Sequence, residues 1–194
     1  MNTPNFLTAL RVLLTFLTAL LLCLPLKYAA TAAFVIYCAA GATDWFDGYI
    51  ARRNNLVTTF GKFMDALSDK IMVSTAFLTL FALGMFGDWT LLALFCAILS
   101  MSREFFVSGI RMIAASRGIV LAAETMGKYK AGFQMYSLGA IICARALDID
   151  FECENSIFYG FAFFSAIVTL ILSTILSVWS GAVYGTRYGY LLKE

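Results

Sequence analysis

The sequence contains no histidine. That removes the commonest general base and the commonest zinc ligand. Proton transfer is left to carboxylates, lysine, tyrosine or cysteine. Charge is also scarce. Only 13% of the 194 residues are Asp, Glu, Lys or Arg, against about 25% in a typical soluble domain. There is too little polar material to coat a water-soluble globule. The five cysteines (Cys23, Cys38, Cys96, Cys143 and Cys153) form no C-x-x-C pair, and most lie in apolar runs. They read as small apolar fillers rather than a redox or metal site. Strand-like alternation is missing too. The formal net charge of +2 says little by itself, and no nucleic-acid partner is expected.

What fills the chain instead is hydrocarbon: 61% of residues are hydrophobic. Apolar runs long enough to cross a bilayer, at roughly 20 residues each, are expected near 6–26, 28–50, 63–86, 89–110, 131–148 and 156–179. Inside lipid the backbone must satisfy its own hydrogen bonds, which demands helices. The expected fold is therefore all-α, a polytopic membrane bundle of about six helices behind a short cytoplasmic or interfacial N-terminal segment. The length fits a single domain over residues 1–194. Arg11 followed by Val12–Leu26 could pass for a signal peptide, but the next apolar run follows with almost no polar spacer.

The cations are unevenly shared between the two sides of such a bundle. With the N-terminus inside, twelve of the fourteen Lys and Arg residues fall on the inner side, and Lys27 and Arg145 alone on the outer. The positive-inside rule then puts both termini in the cytoplasm. Asp88, Asp148, Asp150, Glu152 and Glu154 fall outside. They read as ordinary solvated loop residues with no assigned chemistry.

Charged groups beside membrane spans are expensive and need a reason. The richest stretch runs from Asp44 to Asp69. Asp44 and Asp47 are spaced i, i+3 at the end of the second run; Asp65 and Asp69 are spaced i, i+4 at the start of the third. Each pair shares one helical face. Four carboxylates converging at a membrane edge would repel one another, and bound divalent cations would relieve this. An all-oxygen donor set favours Mg2+ or Mn2+, and two ions could bridge phosphate oxygens. Gly48 and Gly61 leave room for a ligand to approach the backbone. On residues alone, two other readings stand: pairing of the aspartates with Arg52, Arg53, Lys62 and Lys70, and a cation pathway.

The same stretch spells D-x2-D-G-x2-A-R-x8-G-x3-D-x3-D, with Asp44, Asp47, Gly48, Ala51, Arg52, Gly61, Asp65 and Asp69 at every fixed position. This resembles the signature of the CDP-alcohol phosphotransferase family, whose fold is also a six-helix membrane bundle. The resemblance implies that Asp44, Asp47 and Asp65 bind metal, that Asp69 is the catalytic base with a share in metal binding, and that Gly48, Ala51, Arg52 and Gly61 hold the CDP part of the donor. The implied reaction is attack by an alcohol oxygen on the lipid-side phosphorus of CDP-diacylglycerol, releasing CMP. A membrane prenyltransferase would instead carry two aspartate-rich motifs far apart in sequence, and a cation channel would carry acids in the middle of several spans.

A second cluster bears on the acceptor. Arg103, Arg111, Lys128 and Lys130 are expected on the cytoplasmic side. They suit either phosphate recognition or ordinary positive-inside anchoring to anionic lipid. Further patches, Asn2–Arg11, Thr43–Gly48, Ser102–Glu104, Arg111 and Gly127–Lys130 with Gln134, resemble the bacterial branch of the family that uses sn-glycerol 3-phosphate. Ala66 and Ala131 depart from that branch's usual proline and threonine. The resemblance thus implies sn-glycerol 3-phosphate as acceptor, with Arg103, Arg111, Lys128 and Lys130 as its phosphate-binding residues. It also implies a homodimer among membrane lipids in a bacterial inner membrane, with the active site facing the cytoplasm.

Overall fold

In a computed structural model the chain forms six long helices, α1 Thr3–Cys23, α2 Ala29–Arg53, α3 Thr59–Ala82, α4 Thr90–Ser116, α5 Thr125–Ile149 and α6 Ile157–Tyr188. Short 3-10 turns occupy Gly87–Trp89 and Gly189–Leu192. The structure describes residues 3–53, 59–119, 121, 125–154 and 156–192, and among these there is no strand. The six helices fall on the six expected apolar runs. The N-terminal segment expected ahead of the first run is already helical from Thr3. The largest difference is α6, which continues to Tyr188 where the apolar run was expected to end at 179. Lipid thickness limits an apolar run, whereas helical hydrogen bonding continues through the polar residues beyond it.

Glycine ends two of these helices. At Gly84 (φ +64°) the amide of Met85 reaches the Leu80 carbonyl and that of Gly84 the Phe81 carbonyl. At Gly118 (φ +74°) the amide of Ile119 donates to Ala114 and that of Gly118 to Ala115. Both are left-handed helix stops in which the last carbonyls are satisfied by a reversed turn.

Two helices, the stretch Gly87–Ser116 around α4 and Ile157–Tyr188, are long and apolar enough to cross a membrane. Shorter apolar stretches cover Thr8–Cys23 and Ala29–Thr43. In α2 and α3 charged residues at one end, and in α5 charged residues at both, cut the apolar length. Two helices, α1 and α6, also turn hydroxyl-bearing residues inward and large apolar ones outward. In α1 the residues facing inward are Thr8, Arg11, Thr15, Thr18 and Leu22, while Leu13, Phe16, Leu17 and Leu20 face outward. In α6 Ser173, Ser177, Ser180 and Tyr184 are buried, while Phe161, Phe164, Leu172 and Trp179 are exposed. A soluble helix does the opposite. Outward leucine and phenylalanine with inward hydroxyls suit lipid as the solvent.

The chain divides into two compact units. The first joins Met1–Gly87 to Leu138–Phe164. Here α1 packs on both α2 and α3, and α2 buries the small residues Ala29, Ala33 and Ala40 along with Tyr37. Small residues let helix backbones approach closely. On α5, Gly139 lies so near the Tyr37 ring that a Cβ there would sit 3.1 Å from Cε1. The second unit comprises Asp88–Ser137 and Ser165–Glu194. Its helices are tied by polar contacts: Ser137 Oγ donates to the Ala166 carbonyl (2.8 Å), and the Tyr136 and Ser165 hydroxyls lie 3.2 Å apart.

Asp150, read from sequence as a plain loop residue, has a structural task. Its carboxylate accepts hydrogen bonds from the Tyr28 amide (3.1 Å), the Thr31 amide (2.6 Å) and the Thr31 hydroxyl (2.6 Å). It therefore caps α2 from a distant loop and meets the positive end of that helix. Asp150→Ala should cost about 1–2 kcal/mol, the scale of a lost N-cap. Asp150→Asn should recover most of this, since its amide oxygen still accepts. Thermal melts of the two variants in detergent check the order.

Candidate active site

In the first unit, α2 carries Asp44, Asp47, Gly48, Ala51 and Arg52 toward its C-terminal end, and α3 carries Gly61, Asp65 and Asp69 in its first half. Both stretches are helical, so the i, i+3 and i, i+4 spacings keep each aspartate pair on one face. The side chains of Asp44, Asp47, Ala51, Arg52 and Asp65 lie outside the described residues, as does the surrounding of Gly48. Among the described residues no group of three acidic, histidine or cysteine side chains comes together.

Asp69 is described, and it has a partner that sequence reasoning did not assign. Arg11 of α1 donates from Nη1 to Asp69 Oδ1 at 2.8 Å and to Ser68 Oγ at 3.0 Å. The guanidinium is fully buried, while the Asp69 side chain is 56% exposed. The carboxylate thus faces outward from a buried cationic support. The backbone carbonyl of Arg11 in turn accepts from the Thr15 hydroxyl at 2.9 Å. The signal available in the sequence was that Arg11 is the lone charge in α1.

The second unit gathers three of the four cations expected at the acceptor; the Lys128 side chain lies outside the described residues. Arg103 and Arg111 stand two turns apart on α4 and share a face with Val107, which packs with Ile110 on Tyr184 of α6. Arg103 donates from Nη2 to Ser180 Oγ at 2.6 Å. Its stem lies against Gly181, where an added Cβ would come within 2.7 Å of Arg103 Cγ. Arg111 Nε donates to the Tyr184 hydroxyl at 3.3 Å, and its guanidinium sits 5.6 Å from that ring's centroid. Arg111 remains exposed. Lys130 of α5 is different: it is 4% exposed and forms a 2.6 Å ion pair with Glu104. One turn on, Gln134 is buried, and its Nε2 has no hydrogen-bond partner among the described residues. A buried donor left unmet needs an explanation.

Sequence reasoning named the cations but missed what holds them. Ser180, Gly181 and Tyr184 carried no signal, because α6 reads as generic apolar helix, and Glu104 stood in the Ser102–Glu104 patch without its partner showing. A serine or glycine there becomes informative only when its face is known.

A family model described as CDP-alcohol phosphatidyltransferase matches residues 1–182. The chain is 32% identical over 184 residues to a Bacillus subtilis (strain 168) protein named CDP-diacylglycerol–glycerol-3-phosphate 3-phosphatidyltransferase, covering 89% of this chain and 91% of that one. An Escherichia coli (strain K12) protein of the same name is 32% identical over 183 residues, covering 93% and 94%. A rice (Oryza sativa subsp. japonica) protein named cardiolipin synthase (CMP-forming) is 33% identical over 175 residues, covering 86% of this chain and 51% of its own length.

Proposed function

The chain belongs to the CDP-alcohol phosphatidyltransferase family, and from that premise we propose that it transfers the phosphatidyl group of CDP-diacylglycerol to sn-glycerol 3-phosphate, forming phosphatidylglycerol phosphate and CMP. The observation that carries this reading is the complete aspartate signature, Asp44 to Asp69, in a chain whose bacterial relatives of that activity match it over about nine tenths of both lengths.

The chemistry follows from the residues. The acceptor's hydroxyl oxygen forms a bond to the lipid-side phosphorus of the donor, and the bond from that phosphorus to the CMP oxygen breaks. CMP leaves with the bonding pair. Asp69 takes the hydroxyl proton. A free aspartate has a pKa near ~4, so it can accept that proton only as the new bond forms. The outward-facing, cation-supported carboxylate of Asp69 fits such a role. Asp44, Asp47 and Asp65, with a share from Asp69, are an all-oxygen donor set suited to two Mg2+ or Mn2+ ions. When bound, such ions would supply neutralising charge to the donor diphosphate. Gly48, Ala51, Arg52 and Gly61 would hold the CDP moiety.

The acceptor carries a far phosphate of close to two negative charges, which needs its own cations. Arg103, Arg111, Lys128 and Lys130 are the assigned set. Arg111 is open to solvent and makes no ion pair among the described residues, whereas Lys130 already faces Glu104. Arg111→Ala should therefore raise the acceptor KM at least about tenfold, the lower end of one charge-assisted contact of ~1.5–3 kcal/mol. The KM for CDP-diacylglycerol should barely change. Gly181→Ala offers a charge-neutral companion. Its new methyl would displace the Arg103 stem and should raise the acceptor KM by about three- to tenfold. Initial-rate kinetics in both substrates separate these outcomes from a general anchoring role, which would weaken both.

The membrane setting belongs to the same reading. All six helices cross the bacterial inner membrane, both termini and the active site face the cytoplasm, residues 1–194 act as one domain, and the working form is a homodimer among membrane lipids. The inside-out faces of α1 and α6 and the twelve-to-two division of cations support the spanning and the orientation. Purified protein given CDP-diacylglycerol, Mg2+ and a panel of alcohols tests the function. Faster turnover of serine, inositol phosphate or phosphatidylglycerol than of sn-glycerol 3-phosphate would overturn the acceptor. The rice relative makes phosphatidylglycerol an essential member of that panel.

A further inference from the structure

We propose that Arg11 is a positioning residue for the reaction: from inside the first unit its hydrogen bond to Oδ1 fixes the orientation in which the Asp69 carboxylate meets the acceptor hydroxyl. The inference rests on the transferase reading given above.

Three observations carry it. Arg11 is the lone charged residue of α1 and is fully buried. Burying a guanidinium in an apolar helix is costly, and such a residue persists where it has a task. Its Nη1 is held by two acceptors that are neighbours in sequence, Ser68 Oγ at 3.0 Å and Asp69 Oδ1 at 2.8 Å. Two acceptors on one donor group restrict the rotation of the guanidinium, and through it the rotation of the carboxylate. The exposure is also one-sided: the cation is sealed and the carboxylate is half open. An ion pair formed for stability alone would gain by burying both partners or neither. This one holds a carboxylate at the surface in one orientation.

Orientation of this kind changes rate more than affinity, since misplacement of a reacting group by ~1 Å can cost about 10²-fold. Arg11→Lys keeps the charge but replaces a planar fork with a point charge. Its kcat should fall at least about tenfold, while the KM for donor and acceptor stays within about threefold. Arg11→Gln should fall further. Mn2+ binding in the presence of CDP, read by electron paramagnetic resonance on the purified full chain, should stay within about threefold of the parent in Arg11→Lys. Ser68→Ala removes the second restraint at a helical position, where alanine is the strongest helix former, and should lower kcat by about two- to fivefold with both KM values unchanged.

A kcat for Arg11→Lys within about twofold of the parent overturns the proposal. So does a parallel loss of kcat, both KM values, Mn2+ binding and melting temperature, which marks a structural role. Where Arg11→Lys does not fold, Ser68→Ala decides, and a parental kcat overturns the proposal. A parent that releases no CMP with any alcohol sinks the transferase reading and this inference together; a parent that turns over alongside an equally active Arg11→Lys sinks this inference alone.

Discussion

Asp44→Asn, Asp47→Asn and Asp65→Asn should each remove nearly all turnover, by at least about 10²–10³-fold, the scale of losing one preorganised contact to developing charge. Each substitution keeps the size of the side chain and removes its negative charge. Asparagine still offers an oxygen, but a neutral amide is a poor ligand for a hard divalent ion beside a diphosphate. Helix α2 passes through Asp44 and Asp47, and α3 through Asp65. Asparagine and aspartate have about equal helix propensity, so circular dichroism of the variants should match the parent. Chelation makes the same point without mutation. Activity should vanish in EDTA and return with Mg2+ or Mn2+. Full activity in EDTA would overturn the metal assignment for all four aspartates at once.

Asp69→Asn should be nearly as damaging but should fail at a different stage. The amide cannot accept the acceptor's proton, yet its oxygen can still receive the hydrogen bond from Arg11 Nη1, now 2.8 Å from Oδ1. The local packing should survive, and with it binding of donor and metal. Equilibrium binding of CDP-diacylglycerol with Mn2+ should therefore remain near the parent while transfer drops by about 10²–10⁴-fold, the usual worth of a positioned base. A variant that no longer binds donor would identify Asp69 as chiefly a metal ligand. Arg11 makes this a demanding substitution in one respect. The substitution removes a negative charge that faces a buried guanidinium, which lowers stability. The melting temperature of Asp69→Asn is therefore part of the measurement.

How much of this was legible in the sequence varies with the kind of residue. The six helices were readable, because apolar length is a strong one-dimensional signal. Their ends were less so: α6 runs on through Ser180, Tyr184 and Arg187, where hydropathy falls but helical bonding does not. The aspartates were readable because their chemistry is rare beside apolar runs and their spacing is exact. Arg11 was visible as a charge but not as a partner of Asp69, since the contact spans 58 positions. Glu104 stood in view beside Arg103, yet nothing local shows that it pairs with Lys130, 26 positions away. Gly181 matters only through the side chain that lies on it. Pairing across helices depends on rotation about each helix axis, and the inside-out pattern of α1 and α6 hides that rotation from any reading that expects leucine inside.

The cap that Asp150 places on α2 also sets a schedule for synthesis. Thr31 and Asp150 are separated by 119 positions. At ~5–20 residues per second on the ribosome, about 6–24 seconds pass between the emergence of the helix start and the arrival of its cap. The first unit is likewise split, its opening stretch ending at Gly87 and its remainder beginning at Leu138. Throughout that interval α2 must wait with its N-terminal end uncapped by Asp150. Truncated chains released before Asp150 should therefore be the ones that cellular proteases clear fastest.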